Sequence, residues 1–193
     1  MDYRAWNEAL GLDEAYSFAV VIDTTPDQAL QRLGAQPDQI ASGSWDDLQN
    51  RVQAETPDLM DHLVLAAFDL GQHTLIVEGI SSFVNAPFTG MPPEISASTT
   101  AIASSFDVES MNNFQVLVDG VEVANYGENG DLDAVPPLVQ EALDAMGVEA
   151  DDVVNTVADR GRDLELISRI TGVHPQASDV TGIGRIAVVP LAD

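Results

Sequence analysis

Asp119-Gly120 stands between two β-prone apolar runs, residues 114–118 and 121–126. A two-residue type I′ turn needs positive φ at both positions, which Asp tolerates and Gly adopts freely, so this spacing predicts a β-hairpin. A second hairpin is expected where the apolar runs 62–70 and 74–80 flank Gly71-Gln72-His73. Residues 16–22 and 101–108 read as further strands by their aromatic and β-branched content. Residues 186–191 can return as a strand, with Pro190 arguing for an edge position because it donates no ladder hydrogen bond.

Helical segments are marked by their ends. Residues 3–10 place Tyr3, Trp6, Ala9 and Leu10 at helical spacing before Gly11. Thr24-Thr25-Pro26-Asp27 supplies a cap and a proline for the first turn of a helix through 29–33 that stops at Gly34. Ser44 with Asp47 resembles a capping box, opening a helix through Trp45, Leu48 and Val52 that ends by Pro57. Leu138, Val139, Leu143 and Met146 predict a helix ending at Gly147, and Asp151 is positioned to cap another through Val153, Val154 and Val157. Residues 164–170 continue helically to Thr171-Gly172. Residues 81–100, with two adjacent prolines and no period, read as a long ordered loop. The expected architecture is α+β, a mixed, mostly antiparallel sheet with helices packed on one face, in a single globular domain spanning 1–193.

Charge is the outlier: 32 Asp and Glu face 7 Lys plus Arg, all of them arginine, for a formal net charge of -25. Nucleic-acid affinity comes largely from cationic side chains displacing counterions, so this surface repels DNA, RNA and anionic lipid headgroups. A basic protein partner is instead steered inward. There are no cysteines, which excludes disulfides, zinc ribbons, iron–sulfur clusters and thiol nucleophiles and fits a reducing, cytoplasmic setting. The longest apolar stretches, 18–22 and 63–68, are far too short for a membrane helix, and the N-terminus lacks the basic-then-apolar order of a signal peptide.

The catalytic inventory is thin. Asn129, Asp131 and Asp133 alternate as calcium-loop ligands do, but Ala134 replaces the turn glycine and Gln140 the bidentate Glu. His62, His73 and His174 form no paired metal spacing, although His62 and His73 are expected to meet across the second hairpin. No Gly-x-Ser-x-Gly elbow occurs, and Schiff-base chemistry is impossible without lysine. Thr181-Gly182-Ile183-Gly184-Arg185 lacks the third glycine of a phosphate loop and reads as a turn. Arg160 and Arg162 are expected to pair with Asp159, Asp163 or Glu165. No catalytic residue, cofactor or metal is therefore expected. Trp45, Phe83, Phe88 and Met91 are the candidate partner-binding residues, since aromatics and Met anchor interfaces; covering the core is their alternative role.

Trp6, Leu10-Gly11 and Glu14-Ala15-Tyr16, followed by Thr25-Pro26 and Ala29-Leu30-Gln31-Arg32-Leu33-Gly34-Ala35, resemble the start of an uncharacterised family of actinobacterial domains. Residues 74–78 are similar to that family's strand, 114–123 to its hairpin, and Arg169-Ile170-Thr171-Gly172-Val173 to its end. The resemblance implies a small single-domain bacterial protein and carries over no catalytic residue. Residues 81–100 depart from its pattern. Together these readings point to a non-enzymatic acidic binding module of inhibitor or immunity type, directed at a basic partner such as a toxin or nucleic-acid enzyme. The alternatives are a nucleic-acid mimic, a carboxylate- and His-dependent hydrolase, and adaptation to a saline cytoplasm.

Overall fold

A computed structural model describes residues 16–55, 62–78, 91–106, 112–127, 135–158 and 161–190. Among these residues eight strands form one sheet: β1 (Tyr16–Val21), β2 (Ala41–Gly43), β3 (His62–Leu70), β4 (His73–Glu78), β5 (Thr100–Phe106), β6 (Asn112–Val118), β7 (Val121–Gly127) and β8 (Gly184–Pro190). Their order is β2-β8-β3-β4-β1-β5-β6-β7, and every pairing is antiparallel, so the expected sheet is found without a parallel component. Both predicted hairpins form. Asp119 and Gly120 take φ of 49° and 76°, as a type I′ turn requires.

Among the described residues six helices accompany the sheet: α1 (Pro26–Arg32), α2 (Trp45–Glu55), α3 (Pro137–Met146), α4 (Val153–Ala158), α5 (Arg162–Thr171) and α6 (Ala177–Val180). Thr25 caps α1 in a reciprocal box with Gln28. Ser44 caps α2 by accepting from the Asp47 N–H at 3.1 Å, while the Asp47 carboxylate accepts from the Ser44 N–H at 2.8 Å. That backbone bond, and then the one from the Ser44 hydroxyl, hold the Asp47 carboxyl below its usual range. The initial helix predicted over 3–10 lies outside the described residues.

Helices do not keep to one face. Five of them, α2 to α6, cover the face that carries Phe18, Val20, Val64, Phe68, Leu75, Ile102 and Phe114. The opposite face, with Leu65, Ile76, Ala103 and Val189, is covered by α1 through Ala29 and Leu30, by its C-terminal cap Leu33, and by a 3-10 turn, Pro93–Ser96, through Ile95. The reason lies in β3: residues 63–68 are buried at every position, so both faces of the central strands are apolar and each needs a cover. The 3-10 turn also gives the end of the expected 81–100 loop a regular structure.

Two further expectations change. β8 is not an edge strand; it lies between β2 and β3. Pro190 is accommodated because β2 pairs only with 184–186, leaving Pro190 opposite His62 alone. Asp151 does not open α4 as its cap but lies within a 3-10 turn, Ala150–Asp152, that runs directly into the helix.

Candidate functional site

The predicted site residues separate in space. His62 opens β3 and His73 opens β4, and the register sets His73 opposite Leu70 at the far end of β3. Eight strand steps of about 3.3 Å put the two imidazoles about 26 Å apart, so they do not meet. His73 Nδ1 accepts the Asp23 N–H at 3.1 Å and thereby fastens a turn in which Asp23 has φ 46°. His174 is exposed beyond α5. Among the described residues no three His, Asp or Glu converge as metal ligands. The segment with Asn129, Asp131 and Asp133 lies outside the described residues, as does Arg160.

Trp45 and Met91 are 6% and 5% exposed, each packed into one of the two cores. An anchor offered to a partner has to be presented, and these two side chains are covered instead. The Met91 N–H is further tied to Gln115 Oε1 at 2.7 Å. Phe83 and Phe88 lie outside the described residues.

Gly184, the last glycine of the 181–185 segment, answers to packing. A Cβ there would stand 2.7 Å from the Ala67 carbonyl oxygen and 2.8 Å from the Phe68 ring. Of the segment expected to turn, residues 181–182 bend, while Gly184 and Arg185 already belong to β8.

The surface that does present chemistry is the outer side of α3 and the turn after it. Val139, Ala142 and Leu143 face the core, which leaves Pro137, Leu138, Glu141, Asp144 and Ala145 exposed on the opposite side. Leu138, at 37% exposure, sits one turn from Glu141. After the left-handed Gly147 cap, Glu149, Asp151 and Asp152 are also exposed. No arginine or lysine occurs in the sequence between Arg51 and Arg160, so none of these five carboxylates has a cation near it in sequence. Asp144 Oδ1 accepts from Gln140 Nε2 and Asp152 Oδ1 from Asn155 Nδ2, both at 2.7 Å, and neutral amides of this kind leave the negative charge in place. On the neighbouring α5, Arg169 pairs with Glu165 at 3.3 Å.

This acidic ridge rests on a pinned foundation. α5 packs against α3 and β5, and its N-cap is Gly161, which has no side chain to accept from the first turn. Asp163 accepts instead, from the N–H groups of Gly161 and Leu164 at 3.0 and 2.7 Å, and also from Ser104 Oγ of β5 at 2.7 Å. Nothing in the sequence marks that contact apart from an Asp in a first helical turn, where the dipole favours it.

A second polar feature lies on the α1 face. Glu78, Ser17, Ser105 and Asn113 stand opposite one another on β4, β1, β5 and β6. All four are at most 3% exposed. Ser17 Oγ, in the middle of the row, is buried without a hydrogen-bond partner. In the sequence these are single polar residues or pairs at the ends of otherwise apolar strands, a weak signal that only the register assembles.

A family model described as a family of unknown function, DUF6461, matches residues 1–180. No curated protein and no solved structure matches the chain.

Proposed function

We propose that this chain, which belongs to DUF6461, is a binding module that covers a basic surface on a protein partner, in the manner of an inhibitor or immunity protein. The observation that carries this reading is the ridge formed by Glu141, Asp144, Glu149, Asp151 and Asp152, exposed together without a neighbouring arginine in sequence and set beside the exposed Leu138. An apolar group within a charged rim is the arrangement of many interfaces, and a strong anionic field speeds the encounter with a cationic partner. With His62 and His73 at opposite ends of β3, a hydrolase reading would have to rest on one histidine with carboxylates.

The test begins with capture of the partner from host extract at low ionic strength. Binding is then compared between two sets of neutralised variants, Glu141→Gln with Asp144→Asn on the ridge, and Asp38→Asn with Asp46→Asn at exposed sites elsewhere. The ridge set is expected to weaken binding about tenfold, about 1.4 kcal/mol, and the other set to leave it nearly unchanged. Equal losses from both sets would mean that only total charge matters, and the ridge would lose its role. If the partner is a nucleic-acid enzyme, DNA competes for it, as expected of carboxylates standing in for phosphates.

A further inference from the structure

We propose that the outer edge of β7 receives an extended cationic segment of the partner as an added strand. This rests on the basic-partner reading and supplies its contact geometry.

The two edges of the sheet differ. At one end β2 has three residues, too few to template a neighbour. At the other, β7 has seven, and among the described residues it pairs only with β6. Protective lysines and prolines are absent from β7, whose sequence is VEVANYG. Its first residues also display an apolar strip, since Val121 is 61% exposed, Val123 37% and the facing Val118 36%.

Charge decides the occupant. Asp119 and Glu122 are exposed in the hairpin itself, and Glu94 is exposed in the 3-10 turn that packs against β6 and β7. On the other face α4 packs against β7, and the exposed Asp151 and Asp152 immediately precede it. An added strand would therefore lie between carboxylates on both faces of the sheet. A second copy of this chain would bring the same charges and be repelled. The strand is also bulged: Val116 pairs with Ala124 and Leu117 with Glu122, so Val123 is the extra residue. The bulge brings Glu122 and Asn125 to one face, where both Gln115 and Asn125 donate to Glu122 Oε2. Local twisting at a bulge disfavours long edge-to-edge association and leaves room for a short segment with alternating apolar and basic side chains.

The probe is a synthetic peptide of alternating valine and arginine, compared with a version N-methylated at alternate residues, which keeps the charge but loses the strand's donors. Binding and amide hydrogen exchange are measured on the full chain at low ionic strength. The unmodified peptide is expected to slow exchange at residues 121–127 and to bind about tenfold tighter than its N-methylated form. Val121→Lys is expected to weaken it by a similar factor at unchanged melting temperature. Equal binding of the two peptides, or slowed exchange only on α3, overturns strand addition and leaves the basic-partner reading standing. Failure of both peptides to bind also overturns it, whereas the basic-partner reading fails separately, on the captured partner and its ridge variants.

Discussion

Ser104 Oγ donates to Asp163 Oδ2 at 2.7 Å across 59 residues of sequence, and both side chains are buried. The contact joins the sheet to the N-terminus of α5, where the same carboxylate accepts from the N–H groups of the Gly161 cap and of Leu164. Truncating the acid leaves those donors and the Ser104 hydroxyl without it, whereas truncating the serine removes one bond of several. Asp163→Ala is expected to destabilise the fold by about 3 kcal/mol and Ser104→Ala by about 1 kcal/mol. Denaturant unfolding of the two variants and of the double variant measures the coupling, and a coupling near zero would show that the bond carries no stability.

Gly184 and Gly43 are paired across β8 and β2, yet they differ in what a methyl group would meet. At Gly184 the obstacles are the Ala67 carbonyl oxygen and the Phe68 ring, neither of which can swing aside. At Gly43 the nearest atom is the end of the flexible Ile186 side chain, 2.6 Å away. Gly184→Ala is expected to cost about 2–3 kcal/mol and Gly43→Ala less than about 1.5 kcal/mol. Thermal melts of both variants check the order, and a reversal would mean that β8 shifts more readily than β2.

Tyr126 carries a phenol that is buried without a hydrogen-bond partner, its ring stacked on Phe114 with centroids 6.4 Å apart. Burial pushes its pKa up to about 12 from 10.0. An acid whose pKa is raised on folding holds more protons folded than unfolded across that window, so this contribution to stability is full below pH 10 and is lost as pH climbs toward 12. Tyr126→Phe keeps the ring and removes the unsatisfied oxygen. It is expected to raise stability by about 1 kcal/mol and to flatten the alkaline loss. Melting curves from pH 8 to 11 read both effects; a destabilised variant would mean that the hydroxyl has a partner in solution, such as an ordered water.

Much of the fold is legible in local chemistry. Thr25, Ser44, Gly147 and Asp119-Gly120 mark their caps and turns through interactions within a few residues, which a linear reading captures. β2 goes unread because three residues carry no period of their own and are ordered by pairing with β8. The second helical face goes unread because an uninterrupted apolar run such as residues 63–68 of β3 does not announce which elements will cover it. The site is less legible than the fold. Trp45 and Met91 stand out by residue type, but exposure decides an interface, and it is unremarkable residues such as Leu138 and Val121 that remain in contact with solvent. The acidity is plain from composition, whereas its concentration on α3 and the following turn depends on which helical face Val139 and Leu143 bury.

Repulsion within the ridge has a consequence for the isolated protein. Screening shortens from about 10 Å in 0.1 M salt to about 3 Å at 1 M, so carboxylates a helical turn apart cease to oppose one another over that range. With a net charge of -25 and arginine pairs such as Arg185–Asp27 and Arg169–Glu165 too few to offset it, added sodium chloride is expected to stabilise the fold. A gain of about 2 kcal/mol would raise the melting temperature by about 4–8 °C for a chain of this size. The variant Glu141→Gln, Asp144→Asn, Glu149→Gln removes three charges from one surface, and its melting temperature is expected to start higher at low salt and rise less. Differential scanning calorimetry across the salt series checks both slopes. A flat response in the parent chain would mean that the fold already neutralises its acids, which would remove the electrostatic reason for a cationic partner to settle there.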